Sequence, residues 1–230
     1  MNEFWQTSLF YGAGISLVAY EIGQLLRRRF KLAILNPLLI AVICVIGVNS
    51  LLHIDYKTYN EGGKYLSYLL TLSTVCLAVP LYEQLSLLRK NLKAVICGLL
   101  AGVLSSLVGV WVFAKLFGLN HQQYVTLLPK SITTAIGMGV SQELGGIVTI
   151  TVAVIVITGI VGNVIADAVF KLFRIQEPVA KGLALGSAAH AIGTARAMEM
   201  GPVEGAMSSL AIAVAGLLTV VAASFFAPFA

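Results

Sequence analysis

Long apolar runs recur along the whole sequence, at 4–26, 32–52, 65–85, 94–117, 147–170 and 205–228. An α-helix needs about 20 apolar residues to cross a hydrocarbon layer roughly 30 Å thick, so each run is long enough to span a membrane. In water the same chain would fail, because 58% of its 230 residues are hydrophobic and only 11% are charged, too few to cover a globule of this size. The mean hydropathy of +0.92 agrees. A membrane protein follows. The runs and their short connections leave no room for a separate soluble catalytic or sensory domain.

The charged residues then set the topology. The net charge of +5 does not mark a nucleic-acid binder, because the 15 Lys and Arg are scattered among short loops and form no stripe. The first run lacks the basic flank of a signal peptide and is followed at once by Arg27, Arg28, Arg29 and Lys31, which reads as a retained, anchored helix. With the N-terminus outside, the loops Arg27 to Lys31, Arg89 to Lys93 and Lys171 to Lys181 fall in the cytoplasm and hold ten of the 15 basic residues. Lys57, Lys64 and Lys115 lie near the outer face, in or beside connections that include the polar stretch HIDYKTYNEGGK at 53–64. Cys44, Cys76 and Cys97 sit in apolar stretches without metal-ligand spacing and read as small hydrophobes.

Two basic residues remain, Lys130 and Arg196, and both fall in apolar stretches rich in Gly, Ser and Thr: 127–146 (LLPKSITTAIGMGVSQELGG) and 182–201 (GLALGSAAHAIGTARAMEMG). A shift of 56 positions aligns Ser131 with Ser187, Ala135 with Ala191, Ile136 with Ile192, Gly137 with Gly193, Glu143 with Glu199 and Gly145 with Gly201. Each copy is followed by an apolar span, as in an internal repeat. A full crossing by 127–146 would push the basic loop at 171–181 outside; a re-entrant hairpin keeps it inside. Two legs of about ten residues reach about 15 Å, half the hydrocarbon thickness. The second copy enters from the opposite side, as in inverted-topology repeats whose half-helix ends meet near the bilayer centre. Two crossed helices unwound in the middle would give nearly the same site.

The sequence therefore predicts an all-α polytopic membrane protein with six full transmembrane helices and two re-entrant or broken helical hairpins that form an inverted repeat. It reads as a single membrane domain, with a four-helix part over 1–120, a first hairpin-plus-helix repeat over 121–171 and a second, inverted one over 177–230.

Irregular backbone at membrane depth is tolerated where it lines a polar cavity, so the two interruptions predict a cavity between them. Pro129 can start a short helix carrying Ser131, Thr133 and Thr134 in its first turn, and Ser187 can begin the matching one. Free N–H groups and hydroxyls at such ends favour an anion. Lys130 and Arg196 add full charges, and arginine can hold a carboxylate through two parallel bonds; the alternative is that both snorkel to the interfaces as topology anchors. His190 and Thr194 complete the candidate substrate site, with His190 either a proton carrier or a structural histidine. Glu143, Glu199, His190 and Asp167 are the proton-coupling candidates, the two glutamates being equally readable as interfacial ends of the hairpins. Asn163 and Asp167, one turn apart, can face the same cavity, whereas Asn36-Pro37 and Pro80 read as helix-bending elements. No GxSxG elbow, P-loop, HExxH or Cys-rich metal pattern occurs, so neither an enzyme nor a cofactor or metal site is predicted.

The segments LNPLL (35–39), AVPLYEQ (78–84), LPKSITT (128–134), GLALGSAAHAIGTARA (182–197) and EGAMSSLA (204–211) resemble the LrgB/CidB family of bacterial membrane proteins over nearly the whole chain. The family usually has a proline after the two threonines; here Ala135 stands there. The resemblance implies a bacterial cytoplasmic membrane location and two competing functions. Bacterial members are described as antiholin-like proteins that, with a small LrgA/CidA-type membrane partner, modulate murein hydrolase export and lysis. A chloroplast relative is a glycolate/glycerate translocator, and bacterial members have been linked to pyruvate movement. The residue pattern favours a secondary transporter of small monocarboxylates, with proton coupling left open. The alternative is an antiholin-like regulator acting through its partner, and an anion channel is a third reading. Small-residue faces allow a homodimer but also serve packing within one chain.

Overall fold

The computed structural model describes residues 10–30, 35–76 and 78–229. Residues 4–9 of the first expected crossing, Lys31 of the first basic loop, 32–34 at the start of the second crossing and 77 in the third lie outside the described residues. The described elements are helical throughout: α1 (Tyr11–Phe30), α2 (Pro37–Leu51), α3 (Tyr56–Cys76), α4 (Ala78–Glu83), α5 (Leu85–Lys90), α6 (Leu92–Phe117), α7 (His121–Leu127), α8 (Thr134–Glu143), α9 (Val148–Leu172), α10 (Pro178–Met200) and α11 (Pro202–Phe226). A 3₁₀ turn, Ala227–Phe229, follows. Among the described residues, three helical stretches, Leu92–Phe117, Val148–Leu172 and Pro202–Phe229, are long and apolar enough to cross a membrane. This is a multi-pass helical membrane protein. The chain divides into two compact units, Met1–Cys76 and Leu77–Ala230.

In the first unit, Asn36-Pro37 starts a helix rather than bending one. The Asn36 side chain accepts from the N–H of Leu38 (2.8 Å) and Leu39 (3.3 Å), with Pro37 at the first helical position where no amide donor is needed. Helix α2 is apolar but has 15 residues, about 22 Å at 1.5 Å per residue. The connection expected at 53–64 is mostly helical, because Asp55 caps α3 by accepting from the Thr58 N–H at 3.0 Å and Lys64 pairs with Glu61 one turn away at 2.6 Å. The same Thr58 bonds hold the Asp55 carboxyl below the usual carboxylate range. Gly62 and Gly63, which read as loop formers, are where α1 approaches α3: a Cβ on Gly12 would meet the Gly63 nitrogen at 2.6 Å. Two polar bonds tie the unit, Tyr11 to Asn49 (2.7 Å) and Ser16 to Tyr59 (2.9 Å).

In the second unit, the buried residues Val95, Leu99, Val103, Leu107, Val110 and Ala114 recur at three- and four-residue spacing and form one stripe along α6. Val95 and Leu99 pack with Ala206, Met207 and Ala211, while Val103 to Ala114 pack with Ala215, Leu218 and Ala222, so α6 and α11 run in the same direction. Between α6 and α9, and between α9 and α11, the chain forms two hairpins. In the first, α7 and α8 are joined by a turn at 128–133, and Gly137 faces the Pro129 carbonyl, 3.5 Å from where a Cβ would stand. In the second, α10 reverses at His190, whose backbone leaves the helical region (φ 42°, ψ −131°), and Gly193 closes on the Leu185 carbonyl. Gly137 and Gly193, and likewise Pro129 and Leu185, are 56 positions apart.

The same shift carries α6 onto α9 and α9 nearly onto α11, and it pairs Lys115-Leu116-Phe117 with Lys171-Leu172-Phe173, an echo that lies upstream of the expected repeat. The first arm of α10 lies along α11, with Gly182 against Glu204 and Gly186 against Ser208. The second arm lies along α9, with Ile192 against Gly159 and Arg196 against Asp167. Because the arms are antiparallel, α9 runs opposite to α11. The second arm of the first hairpin reaches α11 and that of the second reaches α9: Ile136 Cδ1 sits 3.0 Å from the Cβ position of Gly216, and Ile192 Cδ1 sits 2.8 Å from that of Gly159. Lipid removes most of the hydrophobic drive between helices, so close approach at small residues carries such packing.

Candidate functional site

Helices α6 and α9, the tip of the first hairpin and the first arm of α10 line an open cavity of about 1090 Å³. Its polar lining includes Ser105 and Ser106 of α6, Lys130 and Ser131 of the hairpin turn, Thr158 of α9 and Ser187 of α10, with Asn91 and Glu177 also at its wall. Gly102 lets α10 come close, because the Ser187 hydroxyl lies 3.2 Å from where its Cβ would be. The Lys130 ammonium donates to Ser131 Oγ at 2.9 Å, and Ser106 donates to the same oxygen at 3.1 Å. Lys130 makes no ion pair among the described residues. One hydroxyl occupies one of its three donor hydrogens, and the charge is half-buried. Such a site suits a single negative charge with a small polar body, inside otherwise apolar walls.

Three expected site residues, Lys130, Ser131 and Ser187, thus share this cavity. Ser131 and Ser187, 56 positions apart, both line it although neither begins a helix: Ser131 lies in the turn and Ser187 bonds the Leu183 carbonyl within the first arm (2.7 Å). Helix α8 begins at Thr134 with Thr133 at its N-cap position. The other expected residues lie elsewhere. His190 is buried with Nε2 at 3.0 Å from the Ile155 carbonyl. Thr194 is buried beside it, donating to the His190 carbonyl (2.9 Å) and sharing a bond with Ser208 (2.7 Å). Asn163 donates to the Ile192 carbonyl at 3.0 Å. These bonds fix the reversal of α10: the unwound turn exposes backbone groups, and Asn163 of α9 and Thr194 of α10 itself are among the side chains that meet them.

Arg196 is held between two carboxylates, Asp167 at 2.5 Å and Glu199 at 2.7 Å. Two of the proton-coupling candidates are therefore bound to the arginine, while Glu143 is exposed at the end of α8. Ser105, Ser106 and Thr158 were not singled out by the sequence. Their signal was a hydroxyl pair in the middle of an apolar crossing, of the kind that also serves helix packing.

The sequence model of the LrgB-like family matches residues 16–229. The chain is 37% identical over 221 residues to the antiholin-like protein LrgB of Bacillus mycoides strain KBAB4, with 96% of each chain covered. The same figures hold for the antiholin-like proteins LrgB of Bacillus cereus strain B4264 and Bacillus anthracis strain CDC 684. No solved structure matches the chain. A match that runs from α1 to the final turn, at this identity and coverage, fixes the kinship: the chain belongs to the LrgB-like family.

Proposed function

We propose that the protein is an antiholin-like component of the bacterial cytoplasmic membrane, acting with a small LrgA/CidA-type membrane partner on murein hydrolase export and autolysis. The observation that carries this is end-to-end similarity, 37% over 96% of both chains, to proteins named antiholin-like. The decisive experiment deletes the gene, measures autolysis and extracellular murein hydrolase activity, and tests whether the tagged chain co-purifies stoichiometrically with the partner from membranes. Unchanged autolysis together with no partner in the complex rejects this function.

A second reading is favoured by the cavity: a carrier for small monocarboxylates, with Lys130 as the anion contact and Ser106, Ser131 and Ser187 around it. In this reading the hairpins are re-entrant and meet inside the bilayer as an inverted-topology repeat, supported by the opposed directions of α9 and α11. Arg196 then acts as an internal brace, and proton coupling falls to its carboxylate partners. Protein reconstituted in liposomes should take up labelled glycolate, glycerate or pyruvate with saturation. Flux without saturation would favour a channel, and no flux through folded protein rejects the carrier. The two functions are compatible if autolysis responds to altered acid flux.

A further inference from the structure

The linker between α9 and α10 borders a second cavity, of about 560 Å³, to which Lys171, Arg174 and Lys181 all contribute. They come from three places: the last turn of α9, the linker and the first turn of α10. None makes an ion pair among the described residues. Two carboxylates, Asp167 and Glu204, also line the cavity, but Asp167 is already bonded to Arg196. Three cations thus face one uncommitted carboxylate. Like charges gathered around one hollow repel each other, and an anion placed in it converts that repulsion to attraction.

The backbone at Arg174 adds an independent observation. Helix α9 ends with the Ile175 N–H on the Phe170 carbonyl (2.8 Å) and the Arg174 N–H on the Lys171 carbonyl (3.3 Å), which requires Arg174 at φ 53°. One repeat earlier, α6 ends in the same way, Leu119 on Ala114 (2.9 Å) and Gly118 on Lys115 (3.4 Å), with glycine at φ 62°. Glycine takes this left-handed conformation without steric cost, and arginine does not. The chain KLFG at one end of the unit is KLFR at the other, so the strained position carries a cation into the cavity. Beside it, Leu172 and Phe173 are 76% and 69% exposed. A ligand with an anionic head and apolar tails matches both features.

We propose that this cavity binds the phosphate group of an anionic phospholipid, with the acyl chains passing over Leu172 and Phe173. Three donors on three elements fit the oxygens of a phosphate diester, and the guanidinium can take two of them at once. Occupancy would hold the start of α10 to the end of α9. The proposal depends on membrane placement and on neither functional reading above.

The test uses the full chain in a neutral detergent, titrated with phosphatidylglycerol, phosphatidylcholine or inorganic phosphate, with binding read by native mass spectrometry and by the thermal unfolding midpoint. Phosphatidylglycerol should bind saturably and raise the midpoint, with phosphatidylcholine at least tenfold weaker and millimolar phosphate not competing. Arg174→Gly suits the backbone, so it should keep or raise the midpoint in lipid-free detergent while weakening phosphatidylglycerol at least fivefold. Lys171→Gln with Lys181→Gln should weaken it further. Equal binding of the two lipids, or wild-type phosphatidylglycerol affinity in the Arg174→Gly protein, overturns the proposal. Competition by inorganic phosphate, with no loss of affinity on Leu172→Ser and Phe173→Ser, would assign the cavity to a soluble phosphate and overturn the lipid.

Discussion

Arg196 bonds Asp167, while 56 positions from each of them Val140 packs with Ala223 in an apolar cluster. The shift of 56 positions that maps Val140 onto Arg196 also maps Asp167 onto Ala223. One hairpin is thus seated on its long helix by an apolar contact and the other by an ion pair.

The apolar solution should be transferable. Arg196→Ala alone leaves Asp167 and Glu199 facing each other and should cost about 1–2 kcal/mol, below the range for a fully buried pair because both carboxylates are nearly half exposed. Arg196→Val combined with Asp167→Ala should recover at least half of that loss, read as the thermal unfolding midpoint in detergent. A double variant less stable than Arg196→Ala would show that the two hairpins are not seated in equivalent ways.

The buried hydroxyl network of the first hairpin gives a sharper stability test. Thr151 Oγ1 lies within bonding distance of the Thr126 carbonyl (2.9 Å) and Ser141 Oγ (2.7 Å), where no water reaches. Thr151→Val preserves shape but removes this hydroxyl, and should cost about 1–3 kcal/mol. Ser224→Ala, at an exposed hydroxyl bonded only within its helix, is the matched control with little expected effect.

Gly159 is a steric keystone of the second hairpin. A Cβ there would stand 2.7 Å from His190 Cε1 and 2.8 Å from Ile192 Cδ1, both on the reversing segment. Gly159→Ala should destabilise by about 1–3 kcal/mol, as overpacking does. Gly109→Ala, with open space around it, should not. Equal midpoints for the two variants would mean that the reversal yields more easily than its contacts suggest.

If the carrier reading holds, Lys130→Gln should lower uptake in liposomes at least tenfold, the effect of losing a charged contact worth about 1.5–3 kcal/mol. Ser106→Ala should lower it a few-fold, because Ser106 reaches the ammonium only through Ser131. Wild-type uptake by folded Lys130→Gln protein would move the substrate away from this cavity.

Topology can be read directly in cells. Single cysteines at 121 and 176, in a background lacking Cys44, Cys76 and Cys97, should be labelled from outside and from inside respectively. The reverse pattern removes the assigned orientation.

The long helices α6, α9 and α11 were legible because apolar length is a property of sequence alone, and the two breaks within 127–146 and 182–201 because glycine and hydroxyl residues interrupt apolar runs there. The start of α3 was not, since the Asp55 cap and the Lys64–Glu61 pair offset a Gly-Gly that reads as a loop. Nor was the company Arg196 keeps. A cation in an apolar stretch announces a need for negative charge, but whether a ligand or Asp167, 29 residues away, supplies it depends on how helices cross.

The interlocking of the two copies bears on how the chain is made. Ile136 belongs to the hairpin that leaves the ribosome first, yet its seat is Gly216 on α11, which emerges later. Before α11 is inserted, the first hairpin can bond α6 through Ser131 and Ser106 and α9 through Thr126 and Thr151, but its apolar face at Ile132, Ile136 and Val140 lacks the surface that α11 supplies. A chain truncated before α11 leaves Ile132, Ile136 and Val140 without Val220 and Ala223.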